Sequence, residues 1–111
     1  MALITGEMNF GVYQDSAGRY RWRLWSGLRL LALSGESFLD RFDAEHAALC
    51  FKVEAYDTAY DVVASDGSWY WQARDRGGRL VAIASRAVDS AFNAEHAAAF
   101  VSNHVGRATF S

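Results

Sequence analysis

Hydrophobic and polar positions in this chain follow two periods, and the switch from one to the other occurs twice. Tyr20, Trp22 and Leu24 alternate with Arg19, Arg21 and Arg23, the period of two that marks a strand with one buried face. Trp69, Trp71 and Ala73 alternate in the same way with Ser68, Tyr70 and Gln72. Residues 10–14 and 60–64 read as the strands before them. Turns are expected at Asp15-Ser16-Ala17-Gly18 and at Asp66-Gly67. Ser26-Gly27 and Gly77-Gly78 turn the chain again, into strands at 29–33 and 79–83. Those third strands are apolar on both faces, which places them centrally in a sheet.

The period then lengthens to about 3.6 residues. Ala44, Ala47, Ala48, Phe51 and Ala55 fall on one helical face, as do Ala94, Ala97, Ala98, Val101 and Val105. Asp40 and Ser90 are candidate N-caps, with Asp43 and Asn93 as the alternatives; Glu45 and Glu95 then suit the positive end of the helix dipole. Small residues on the helices let them sit close to a sheet face carrying Phe10, Tyr20, Trp22, Tyr60, Trp69 and Trp71, so that large meets small at native density.

These parallels reflect an internal repeat. Set against each other at an offset of fifty, residues 29–48 and 79–98 agree at nine of twenty positions. Phe42-Asp43-Ala44-Glu45-His46-Ala47-Ala48 recurs as Phe92-Asn93-Ala94-Glu95-His96-Ala97-Ala98. With small gaps the match extends upstream, giving units of 10–56 and 60–107 and a tail at 1–8. Neither unit can bury much core alone, so the expectation is one compact domain, 1–111, in which both share a core.

Composition adds limits. Of 111 residues, 51% are hydrophobic and 22% charged, as in folded globular proteins. Eleven basic and thirteen acidic residues leave a net charge of −2, which calls for neither a nucleic-acid nor a membrane partner. Cys50 is the one cysteine, so no internal disulfide and no cysteine-based zinc cluster is expected. No apolar run approaches the length of a membrane-spanning helix, and the first eight residues lack the basic start and apolar core of a secretory signal. A cytoplasmic location is the default expectation.

The order of these features resembles the YegP-like family, a domain of unknown function found singly or in tandem. The resemblance rests on an aromatic-x-aliphatic strand, a Gly turn, Tyr20-Arg21-Trp22-Arg23-Leu24, a second Gly turn, an aliphatic strand and a helix with fixed small positions. The family's helix motif, Tyr-x-Ser-Lys followed by Ala and then Gly-Ile, maps onto Phe38-Leu39-Asp40-Arg41, Ala44 and Ala47-Ala48. In the second unit it maps onto Val88-Asp89-Ser90-Ala91, Ala94 and Ala97-Ala98. Both units depart from it by carrying Ala-Ala for Gly-Ile. The resemblance implies an α+β fold: three strands, a helix and a short last strand per unit. The two units would share one antiparallel sheet and exchange last strands, at 55–57 and 108–110, with the helices on one face. It supplies no catalytic residues.

Three groups of residues carry candidate chemistry. Arg19, Arg21 and Arg23, with Tyr70 and Arg74, are expected on the sheet face away from the helices, where arginine beside aromatics suits single-stranded nucleic acid. The opposing reading is a solvated face with internal pairing to Asp15, Asp61, Asp66 and Asp75. Phe42, His46, Leu49 and Val53 form a second stripe on the first helix, opposite the alanines, and read as a protein or self-association interface. Its alternative has Phe42 ahead of the helix, stapled onto the first turn. His46 and His96 are repeat-equivalent and invite a metal or acid–base reading. Yet Glu45 and His46 are about 100° apart around the helix axis, and Phe100 stands where the first unit has Cys50. No Gly-x-Ser-x-Gly elbow, phosphate loop or dinucleotide fingerprint is present. The sequence therefore points to a non-enzymatic interaction module of unknown ligand, able to self-associate as a homodimer, with no cofactor and no membrane partner. A weak nucleic-acid binder is the alternative, and a metal protein or enzyme using His46 and His96 comes third.

Overall fold

A computed structural model describes residues 7–110. Three strands, a helix and a 3₁₀ turn follow one another, and the same order then recurs. The elements are β1 (Met8–Gln14), β2 (Tyr20–Ser26), β3 (Arg29–Ser34), α1 (Arg41–Glu54) and a turn at Ala55–Asp57. After them come β4 (Ala59–Ser65), β5 (Ser68–Arg74), β6 (Leu80–Ala84), α2 (Ala91–His104), a turn at Val105–Arg107, and β7 (Thr109–Phe110). The strands make one sheet in the order β4-β5-β6-β3-β2-β1-β7, so this is an α+β protein. β3 and β6, the two strands expected to be central, meet in the middle, with Leu33 opposite Ile83.

Local chemistry explains the elements. Asp66 and Gly67 both have positive φ, 52° and 81°, which makes a two-residue turn whose twist matches the strands it joins. At Gly35 a Cβ would collide with the Leu80 carbonyl, so only glycine lets β3 end against β6. The first-choice caps hold: the Asp43 N–H donates to Asp40 Oδ1 at 2.8 Å, and the Asn93 N–H to Ser90 Oγ at 3.0 Å. Asp43 and Asn93 thus lie inside their helices rather than capping them.

The core lies between the sheet and the two helices. Phe10, Trp22, Leu24, Phe51 and Trp71 are buried there beside Ala32, Ala48, Ala73, Ala82 and Ala98. Trp22 packs edge-on to Phe10 and stacks on Phe51, with ring centroids 5.2 and 5.4 Å apart. The family motif's aromatic position, Phe38 and Val88, forms paired backbone bridges to Tyr20 and Trp69. Each bridge ties the segment ahead of a helix to a second strand.

Three expectations need correction. The sheet is mixed, because β7 runs parallel to β1. Ala55–Asp57 is a 3₁₀ turn; Thr58 follows it and the chain is in β4 at once, leaving no length for a separate last strand, so among the described residues the exchange is one-sided. Met8, assigned to the tail, is buried in β1, while residues 1–6 and Ser111 lie outside the described residues. Phe42 sits inside α1, as its place on the second stripe requires, and the alternative that set it ahead of the helix falls.

Candidate functional site

Paired residues on neighbouring strands share a face of the sheet. One row on the face away from the helices runs Gly11, Arg23, Leu33, Ile83, Gln72, Asp61. Its centre is aliphatic, with Arg21, Arg23, Tyr13 and Trp25 towards one edge and Tyr70, Gln72 and Arg74 towards the other. The sequence-predicted arginines are therefore brought to this face, but each already has a partner. Arg19 Nε donates to Ser37 Oγ at 2.6 Å and its Nη2 to the Ser37 carbonyl at 3.2 Å. Arg21 Nε pairs with Asp15 Oδ2 at 3.2 Å. The Arg23 guanidinium lies 4.4 Å from the Tyr13 ring centroid and 5.7 Å from that of Trp25. Arg74 Nη1 donates to the Gly78 carbonyl at 3.0 Å. Tyr70 sits several strands away from Arg21 and Arg23, on the far side of β3 and β6.

The helical layer presents the other candidate surface. Phe42, Leu49 and Val53 on α1 are 73%, 45% and 71% exposed, and Tyr56 just beyond it is 82% exposed. With His46 they recur at intervals of four, three, four and three residues, the spacing of a seam that packs against another helix. The Phe42 ring stacks near His46, centroids 6.4 Å apart. In α2 the matching positions are Phe92, His96, Ala99 and Asn103, so the apolar seam there stops after one turn.

A cleft of about 370 Å³ between α1 and the β5–β6 hairpin was not anticipated. His46, Cys50 and Glu54 line it from the helix, and Asp75, Arg79 and Leu80 from the hairpin. Its counterpart fifty residues on is a smaller cleft of about 280 Å³ lined by His96 and Phe100. The difference between Cys50 and Phe100 was visible in the sequence; that it alters a cleft was not. Cys50 Sγ lies 3.6 Å from His46 Nε2. Burial, aided by the nearby Glu54 charge, pushes the Cys50 thiol above its ordinary pKa. That keeps it protonated near neutrality and dulls it as a nucleophile or metal ligand. Among the described residues no three His, Cys, Asp or Glu side chains cluster as a metal site, and His46 and His96 sit on separate helices.

The architecture defines a class: a small α+β protein with, among the described residues, one seven-stranded sheet and two helices on a single face. Two solved structures share it. A UPF0339 protein of Shewanella oneidensis superposes with a TM-score of 0.76 at 12% identity, over 95% of this chain and 90% of that one. The protein YegP of E. coli, described as of unknown function, superposes with a TM-score of 0.74 at 17% identity, over 99% of this chain and 95% of that one. The YegP-like resemblance read from the sequence is thus met by a shared fold. No protein-family model matches the sequence, and no curated protein matches it significantly. No helix among the described residues is long and apolar enough to cross a membrane.

Proposed function

We propose that this protein is a cytoplasmic, non-enzymatic interaction module: a tandem repeat folded as one domain, which self-associates through the outer face of α1. The observation that supports this is the exposed seam of Phe42, Leu49, Val53 and Tyr56. Large apolar side chains kept in line on a helix and facing water favour burial against a second surface. His46 within the seam gives it one polar, orienting position. The arginine face favours the nucleic-acid alternative less, because Arg19, Arg21, Arg23 and Arg74 each have an internal partner that a phosphate would have to displace.

Sedimentation velocity over a wide concentration range tests this. The native chain should move from monomer to dimer as concentration rises, and Phe42→Glu with Leu49→Glu should hold it monomeric at unchanged thermal stability. A monomer at every concentration, or a dimer indifferent to the double substitution, would overturn the proposal. Survival of the dimer in high salt would separate an apolar contact from one made by the arginines.

A further inference from the structure

The two edges of the sheet are finished differently. At one edge β7 lies along β1, with Asn9 opposite Thr109 and Phe10 opposite Phe110 in parallel register. Phe110 stacks on Phe10 at 5.1 Å between centroids, and Lys52 Nζ of α1 reaches to 5.9 Å from its ring. The terminal strand is therefore anchored by one aromatic side chain set between an edge strand and a helix.

At the other edge, among the described residues, no strand lies along the outer side of β4. The chain has made its 3₁₀ turn at Ala55–Asp57 and gone directly into β4. Beside that edge runs a groove of about 530 Å³ lined by Tyr60, Asp61, Val62, Glu95, Ser102 and Asn103 among others. Tyr60 and Ser102 stand fifty residues on from Phe10 and Lys52, the two residues that frame Phe110. The groove is the counterpart, in the second half, of the place β7 takes in the first.

The backbone of β4 is suited to receiving a strand. A two-residue turn closes on the bonded pair Ser65 and Ser68, so bonded pairs alternate from there along β4 and β5. The backbone N–H and C=O groups of Tyr60, Val62 and Ala64 consequently point outward. The usual protections of an edge are largely missing: β4 holds no proline and no lysine, and Asp61 is its one charge. Glu95 makes the groove acidic on the helix side and Asp61 projects from β4 on the opposite face of the sheet, and no cationic side chain is among the groove's lining residues.

We infer that the β4–α2 groove is a docking site for an extended peptide of a partner protein, which adds as a strand beside β4. The peptide carries a large apolar anchor, set against Tyr60 as Phe110 is set against Phe10, and a basic residue on the opposite face of the added strand, near Asp61. Strand addition provides the affinity through backbone bonds, and the anchor provides the selectivity. This surface lies on a different element from the α1 seam and stands independently of it.

The chain supplies a probe. Residues 106–111, Gly-Arg-Ala-Thr-Phe-Ser, combine the anchor with a basic residue. Titrating this synthetic peptide into the ¹⁵N-labelled full chain should shift amide signals of β4 and the facing turns of α2. Replacing the peptide's Phe by Ala should weaken binding about tenfold or more. Ser102→Trp, which places an indole where the anchor would sit, should abolish the shifts, and Asp61→Lys should weaken them with the rest of the spectrum intact. Shifts confined to β1 and β7 would mean that the peptide merely replaces its own strand, and would overturn the inference. So would no shifts at millimolar peptide, or concentration-dependent changes in β4 without peptide, which would make a second copy the occupant.

Discussion

The first half of the molecule is heavily filled and its edge is finished; the second is built to the same plan with smaller parts. Where α1 places Phe51 against Trp22, α2 places Val101 near Trp71. Where β2 buries Leu24, β5 buries Ala73. Phe10 has β7 and Phe110 over it, whereas Tyr60 has water-accessible groove beside it and donates its hydroxyl to the Ala55 carbonyl at 3.4 Å. Repeating an order of elements thus fixes the frame, while side-chain volume at each position decides how much stability each half contributes and which surfaces stay available.

The most severe way to break this comparison is to empty both helix–sheet interfaces at matching positions. Phe51→Ala should cost about 3–5 kcal/mol, since it removes a fully buried ring and leaves a cavity under Trp22. Val101→Ala removes far less and should cost about 2 kcal/mol. Urea unfolding of both variants reads the difference directly. Equal losses would mean that the halves share the load evenly despite their different side chains.

A gentler test uses positions where the halves should behave alike. Asp40 and Ser90 cap their helices with the same geometry. Asp40→Ala and Ser90→Ala should each cost about 1 kcal/mol. A gap between them as large as that between the core substitutions would place the asymmetry in the helices themselves rather than in core volume.

Much of this frame could be read from residues. The alternation at Tyr20 to Leu24, the alanine faces and the caps all depend on local spacing and local chemistry, which a sequence carries openly. The central position of β3 and β6 followed from their being apolar on both faces. What could not be read was long-range: whether residues 55–57 would continue as a strand depended on how far the chain had to travel to β4, and that is set by the sheet's final geometry. The arginine face shows the same limit. Its placement followed from period two, and Asp15 was among the acids expected to pair with it, as Arg21 does; the Ser37 partner of Arg19 comes from a turn whose path alternation does not encode. The groove beside β4 and the cleft at Cys50 exist only once helix and sheet are docked.

The smallest expected effect concerns two turns built alike. Asp15 Oδ1 accepts from the N–H groups of Ala17 and Arg19 at 2.9 and 3.0 Å, and Asp75 Oδ1 accepts from those of Gly77 and Arg79 at the same distances. Asp15 differs in also holding Arg21, through its second oxygen. The backbone bond from Arg19 lowers the Asp15 pKa below the ordinary 3.8; partial desolvation opposes this, and Arg21 and the Ala17 N–H add to the lowering. A carboxylate depressed in the folded state adds stability above its unfolded pKa, and that contribution is lost as pH falls through the folded value. Carboxyl NMR should therefore place the Asp15 midpoint below 3.8, and Arg21→Ala should raise it part of the way back. Asp15→Asn should lower stability at neutral pH, with its deficit against the native chain shrinking as pH drops through the Asp15 transition. A deficit that stayed constant with pH would assign the turn's stability to shape alone, and the first half would lose its electrostatic distinction from the second.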